Sequence, residues 1–169
     1  MKNKITALVL ALIILSFCLV SCGAEESHSQ SVSYMEIAMT LPEGFGIFDS
    51  DGAFDVAYSD GGRVVGITRL SFDACIAEGV LTTMDAYGFA RYYINLLGIG
   101  SPELLSLGDT VYYTYVNEND EGIPTLHLPQ FVVTPYAYVI ITYVSYDTSL
   151  SSVEAFLEIA RTVRLTGKF

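Results

Sequence analysis

Three aspartates crowd one short stretch, Asp49, Asp51 and Asp55 in DSDGAFD, with Asp60 in the turn that follows. Carboxylates two residues apart in a loop can converge on a divalent cation. The same residues also serve as acidic turn residues on an acidic chain, and their spacing favours that reading, because no histidine or third fixed ligand follows at a characteristic interval. NENDEG, Asn117 to Gly122, imitates half of a calcium loop, with oxygen-bearing residues at positions 1, 3 and 5 and glycine at 6. Position 1 is the neutral Asn117, and position 12, where calcium needs a bidentate carboxylate, is Leu128, so the stretch reads as a solvated loop between strands. Nucleophilic chemistry would fall to His127, the only histidine beyond His28, with Cys75 or a serine. No Gly-x-Ser-x-Gly, phosphate-cradling glycine loop or His-Glu-x-x-His supports it. His127 between Leu126 and Leu128 then reads as a strand residue, and Cys75 as a small buried hydrophobe. The tyrosines Tyr87, Tyr92 and Tyr93, with Tyr112, Tyr113 and Tyr115, offer apolar area with a hydroxyl handle. They suit a ligand groove or partner patch, or core and half-buried sheet surface, which is the commoner use.

Two further cysteines, Cys18 and Cys22 in SFCLVSCG, suggest a disulfide or a metal pair until their context is considered. Lys2 and Lys4 precede an apolar run from Ile5 to Val20, followed by small residues, which is the layout of a secretory signal. That run is shorter than the roughly 20 residues a bilayer span requires. Leu19-Val20-Ser21-Cys22 resembles the bacterial lipobox, in which the cysteine receives a diacylglyceryl group and becomes the new N-terminus. The resemblance implies a signal peptide over 1–21, lipid attachment at Cys22, and a protein anchored on the extracytoplasmic face of the cell membrane. Two acyl chains suit such an anchor, since one holds only marginally.

Cleavage there removes Cys18 and leaves Cys75 as the only unmodified cysteine, so no disulfide forms within the domain and packing must hold it together. Loss of Lys2 and Lys4 takes the net charge from −11 to −13, which disfavours nucleic acid as a partner. Residues 22–33, small, polar and acidic, read as a flexible tether with a reach of about 18 Å. The remainder, 34–169, is one domain in size.

Within that domain Met35 to Leu41 reads as a first strand. Phe54 to Tyr58 and Val64 to Phe72 form a hairpin across Ser59-Asp60-Gly61-Gly62. Thr110 to Asn117, Gln130 to Thr134 and Tyr138 to Tyr146 supply three more strands, with Pro129 at the start of the second, where a missing N–H does least damage. The apolar spacing over Met84 to Leu97 predicts a helix capped by Thr82 or Thr83 and ended by Gly98. Ser151-Ser152-Val153-Glu154 reads as a capping box opening a second helix, whose stripe is Val153, Phe156, Leu157, Ala160 and Val163. TVYYTYV and YVIITYV are apolar on both alternating faces, as in a sheet covered on two sides. The expected fold is α+β, an α/β/α sandwich with a mainly antiparallel central sheet flanked by helices.

MTLPEGFGI (Met39 to Ile47), MDAYGFARYYINLLG and YVIITYVSYDTSLSSVEAFLEIARTVRL resemble, in that order, the opening strand, middle helix and closing strand-turn-helix of the Mog1/PsbP-like family. The resemblance runs from Met35 to Leu165 and implies a compact interaction module, not an enzyme, with no catalytic residue to carry over. It implies an envelope protein or small ligand as partner and no obligatory cofactor. Because some PsbP-like proteins are associated with calcium or manganese, it also makes Asp49, Asp51 and Asp55 the place to look for Ca2+ or Mn2+, in an accessory or stress-sensing subunit.

Overall fold

The structure, a computed structural model, describes residues 29–119 and 121–167. The chain opens with an antiparallel hairpin, β1 (Ser29–Tyr34) and β2 (Ile37–Pro42), to which β11 (Arg164–Leu165) adds at the far end of the sequence. The main sheet contains β3 (Gly46–Phe48), β4 (Val56–Ser59), β5 (Arg63–Ser71), β6 (Leu105–Leu107), β7 (Thr110–Tyr112), β8 (Tyr115–Glu118), β9 (Pro124–Val133) and β10 (Ala137–Ser145). Its order is β3-β4-β5-β10-β9-β7-β6, with β8 also paired to β9, and all its pairings are antiparallel. The helices are α1 (Phe72–Ala77), α2 (Ala86–Leu97) and α3 (Leu150–Ala160).

Alternation along the two central strands divides the interior in two. Val139, Ile141 and Tyr143 of β10 join Leu126, Leu128 and Val132 of β9 and Val65 and Ile67 of β5 on one face. There Phe156, Ile159 and Ala160 of α3 and Ile37, Met39 and Leu41 of β2 cover them. Tyr138 and Ile140 join Phe131 on the other face, under Phe89, Ala90 and Ile94 of α2 and Cys75 of α1. Each fully buried ring, such as Phe89 or Phe156, contributes about 1.5–3 kcal/mol. The fold is thus the α+β sandwich expected, with a small sheet sharing one layer with α3.

Several local expectations change. Ser29 to Ser33, assigned to the tether, pair as β1 with β2 in the register Ser29↔Pro42 to Tyr34↔Ile37. An edge strand needs only backbone pairing and a few inward side chains, here Val32 and Tyr34, so its polar composition hides it. Pro129 lies in the middle of a ten-residue strand, not at its start. Its carbonyl accepts the Tyr113 N–H at 3.4 Å, so the missing Pro129 N–H would have faced Tyr113 too. The expected single strand Thr110 to Asn117 breaks there into β7 and β8. Helix α2 is capped not by Thr82 or Thr83 but by Asp85, whose Oδ1 accepts the Gly88 N–H at 2.7 Å. Gly98 ends it with φ +65°, where a Cβ would strain the backbone. The capping box at Ser151 does not form; α3 begins two residues earlier, at the N-cap Ser149, and its buried stripe includes Ser152 and Ile159.

Candidate functional site

At one end of the main sheet three loops come together. The first is the β4–β5 turn. Asp60 Oδ1 accepts the N–H groups of Gly62 (3.1 Å) and Arg63 (2.7 Å), and its Oδ2 pairs with the Arg63 guanidinium at 2.7 Å. Burial works to raise the Asp60 pKa, but the hydrogen bonds from Arg63 and from the turn's N–H groups outweigh it and hold the carboxyl below its usual value. The Arg63 guanidinium also lies 5.2 Å from the centre of the Phe45 ring. Phe45 in turn offers its carbonyl to the Gln30 amide, next to the first described residue, Ser29.

The second loop joins β10 to α3. Asp147 Oδ1 accepts the Ser149 N–H (3.0 Å) while its Oδ2 accepts both the Ser149 hydroxyl (2.9 Å) and the Ser152 hydroxyl (2.8 Å). The Ser152 hydroxyl, followed by the Ser149 contacts, holds the Asp147 carboxyl below its usual range. Tyr146 beside it is 62% exposed. These two loops border an open groove of about 670 Å³, and Gly62, Ser145 and Tyr146 continue it into a second hollow of about 290 Å³ toward His127.

The third loop, β8 to β9, closes on Asn119, whose Oδ1 accepts the N–H groups of Glu121 (3.0 Å) and Ile123 (2.8 Å). The Asn119 side chain, which a calcium loop would turn on an ion, is therefore bonded to its own backbone. His127 is half-buried and stacked on Tyr115 at 4.8 Å, and burial lowers its pKa. Thr125 places its hydroxyl 3.0 Å from the Asn117 carbonyl and 3.0 Å from His127 Nε2. Its single proton goes to the carbonyl, so the imidazole donates from Nε2.

The sequence-predicted site residues fare differently. Asp49, Asp51 and Asp55 are not gathered into one cluster, since among the described residues no three His, Cys, Asp or Glu side chains come together as a group that could hold a metal ion. Asp49 Oδ1 accepts the Asp51 N–H at 3.1 Å, and Asp55 Oδ2 accepts the Arg69 N–H at 2.6 Å, so two of the carboxylates are tied into the backbone. Tyr87, Tyr92 and Tyr93 share a helix but not a face. The exposed Tyr87 carries Arg91 over its ring at 4.9 Å, Tyr92 stacks on Phe89, and Tyr93 turns inward against Phe131 at 5.6 Å. They make no single patch.

Cys75 is buried, its thiol pushed up by burial, with Sγ 3.9 Å from the Leu70 carbonyl. Leu70 pairs with Tyr138 and His127 with Val144, six residues apart along β10, so cysteine and histidine lie about 20 Å apart and form no pair. Cys22, the signal segment 1–21 and residues 22–28 lie outside the described residues. Among the described residues no helix is long and apolar enough to cross a membrane. Sequence reasoning missed the groove because Asp60, Arg63, Tyr146 and Asp147 come from loops far apart in the chain; only the turn at Asp60 carried a local signal.

No family model and no curated protein matches the sequence. Among solved structures, the chain is similar to a crystal structure from Bacteroides thetaiotaomicron, with TM-score 0.55 and 13% identity over 82% of this chain and 49% of that one. The chain spans about half the length of that protein, and the likeness is one of fold. A solution structure of the cyanobacterial PsbP (CyanoP) from Synechocystis also aligns, with TM-score 0.48 and 14% identity over 86% of this chain and 97% of that one.

Proposed function

We propose that this chain is a lipid-anchored, extracytoplasmic binding module of the PsbP-like kind, held to the cell membrane through Cys22 and engaging an envelope protein or small ligand at the sheet-end groove. The reading rests on Leu19-Val20-Ser21-Cys22 after a basic start and an apolar run. The position of β1 adds to it. With the first strand starting at Ser29, only Gly23 to His28 separate the lipidated residue from the folded domain, a typical reach of about 13 Å. Ser29 pairs with Pro42, and the chain from Pro42 returns through Phe45 to Arg63, so the groove lies at the anchored end. A partner in or near the membrane would meet that end first.

Labelling cells with a clickable palmitate analogue tests the anchor. Cys22→Ser abolishes label and releases the protein from the membrane fraction, whereas Cys18→Ser changes neither. A Cys22→Ser protein that stays labelled and membrane-bound refutes the reading. A photo-crosslinking residue at Tyr146 then reports what occupies the groove.

A further inference from the structure

Apart from lysines at 2, 4 and 168, the basic residues of this acidic chain are five arginines. Arg63 is paired with Asp60, Arg69 with Glu36, and Arg91 lies on Tyr87. Arg161 and Arg164 have neither an ion pair nor a side-chain hydrogen bond among the described residues, and both line the same cleft, of about 330 Å³, where α3 and β11 meet β7 and β9. That volume lies within the range of small-ligand sites, about 300–1,000 Å³.

The cleft is built as well as charged. Its floor includes Gln130, 1% exposed, whose amide donates to Thr110 Oγ1 (2.9 Å) and to the Ala160 carbonyl (3.2 Å) and accepts the Tyr143 hydroxyl (2.9 Å). Thr110 passes its own proton to the Leu107 carbonyl at 2.8 Å. Both Gln130 donors are satisfied internally, so the floor is rigid and anion recognition falls to the two guanidinium groups. Val132, Val163 and Leu165 add apolar wall, and Asp109 is the one carboxylate among the lining residues. Two positive charges against one negative suit a monovalent anion, and the planar guanidinium fork suits a carboxylate.

We propose that this cleft binds a small organic carboxylate with an apolar body, its carboxylate on Arg161 and Arg164 and its chain against Val132, Val163 and Leu165. This site is separate from the sheet-end groove and does not depend on the anchor. Arg161 at the end of α3 also complements the helix dipole, but that role leaves Arg164 unaccounted for.

Saturation-transfer NMR on the full chain in phosphatidylcholine nanodiscs, with empty discs as background, tests it using hexanoate, hexanol and inorganic phosphate as probes. Hexanoate binds saturably, at least tenfold more tightly than either of the other two, and the double variant Arg161→Gln/Arg164→Gln weakens it at least tenfold. Arg91→Gln, which removes a positive charge elsewhere, leaves the affinity unchanged. Equal binding of hexanoate and hexanol, phosphate binding as tight as hexanoate, an equal loss with Arg91→Gln, or no saturable hexanoate signal each overturns the proposal. Failure of the Cys22 experiment would leave these outcomes as they are.

Discussion

Two buried tyrosines give the same substitution opposite signs. Tyr113 and Tyr143 are both 0% exposed, and burial raises both phenols well above their ordinary value of 10.0. Tyr143 donates to Gln130 Oε1 at 2.9 Å, whereas the Tyr113 hydroxyl meets no hydrogen-bond partner among the described residues. A buried hydroxyl left unsatisfied costs about 1–3 kcal/mol. Tyr113→Phe removes that cost while keeping the ring between Phe131, 6.0 Å away, and Tyr115, 5.6 Å away. The hydroxyl-sized void returns only a few tenths of a kcal/mol, at about 24 cal/mol per Å³. The net expectation is stabilisation of about 1 kcal/mol. Tyr143→Phe leaves Gln130 Oε1 buried and unpaired, and destabilises by about 1–3 kcal/mol. Urea denaturation at neutral pH, followed by far-ultraviolet circular dichroism, measures both against the parent, with equal m-values as the check that the unfolding transition is the same. Tyr113→Phe losing 1 kcal/mol or more would refute the reasoning, since it would mean that the hydroxyl has a partner. So would both variants shifting in the same direction.

Three further substitutions test other parts of the fold. A Cβ on Gly66 would lie 2.4 Å from Phe54 Cγ, so Gly66→Ala should cost about 1–3 kcal/mol. Adding Phe54→Ala should recover part of that loss in thermal melts, and strictly additive effects would show that the ring does not sit on the glycine. Glu36 holds Arg69 through two hydrogen bonds, at 3.0 and 2.7 Å, and those bonds lower its pKa below the usual 4.5. Its contribution is therefore complete above about pH 4.5 and is lost as pH falls through the depressed value of the folded state. Glu36→Gln should cost about 2 kcal/mol at pH 7, because hydrogen bonds to charged groups are worth about 1.5–3 kcal/mol and Arg69 keeps 21% of its side chain in water. The gap to the parent should close toward pH 3, and a gap unchanged across that range would refute the ion pair's role.

How much of the fold was legible depends on whether the signal was local. Helix α2 and the β4–β5 hairpin could be read because apolar spacing and an Asp-Gly-Gly turn are properties of a few neighbouring residues. Helix α1 could not: six residues are too few for a period, and its start is held by the Tyr136 carbonyl accepting the Phe72 N–H at 2.8 Å, across the sheet. The cap of α3 was misplaced because Ser149, Ser151 and Ser152 are equally good caps by type. Asp147 decides the start by gathering the hydroxyls of Ser149 and Ser152. Gln130 reads only as the opening residue of a strand, and only the partners Tyr143, Thr110 and Ala160, brought from elsewhere, give its buried amide a use.

The same division explains where chemistry can sit in this molecule. β9 and β10 carry large side chains on both faces, with Tyr143 under one layer and Tyr138 under the other, so the centre of the sheet has no open face on which to build a site. What is left is the rim: the strand ends, where loops from distant parts of the chain converge on Asp60, Arg63 and Asp147, and the seam, where the last turn of α3 passes the edge of β7. A sequence pattern reports faces well and rims poorly, since rim residues come singly from separate loops. That is why the tyrosines of α2, conspicuous in the sequence, scatter over three faces of the helix. Arg161 and Arg164, unremarkable as letters, instead line the same cleft.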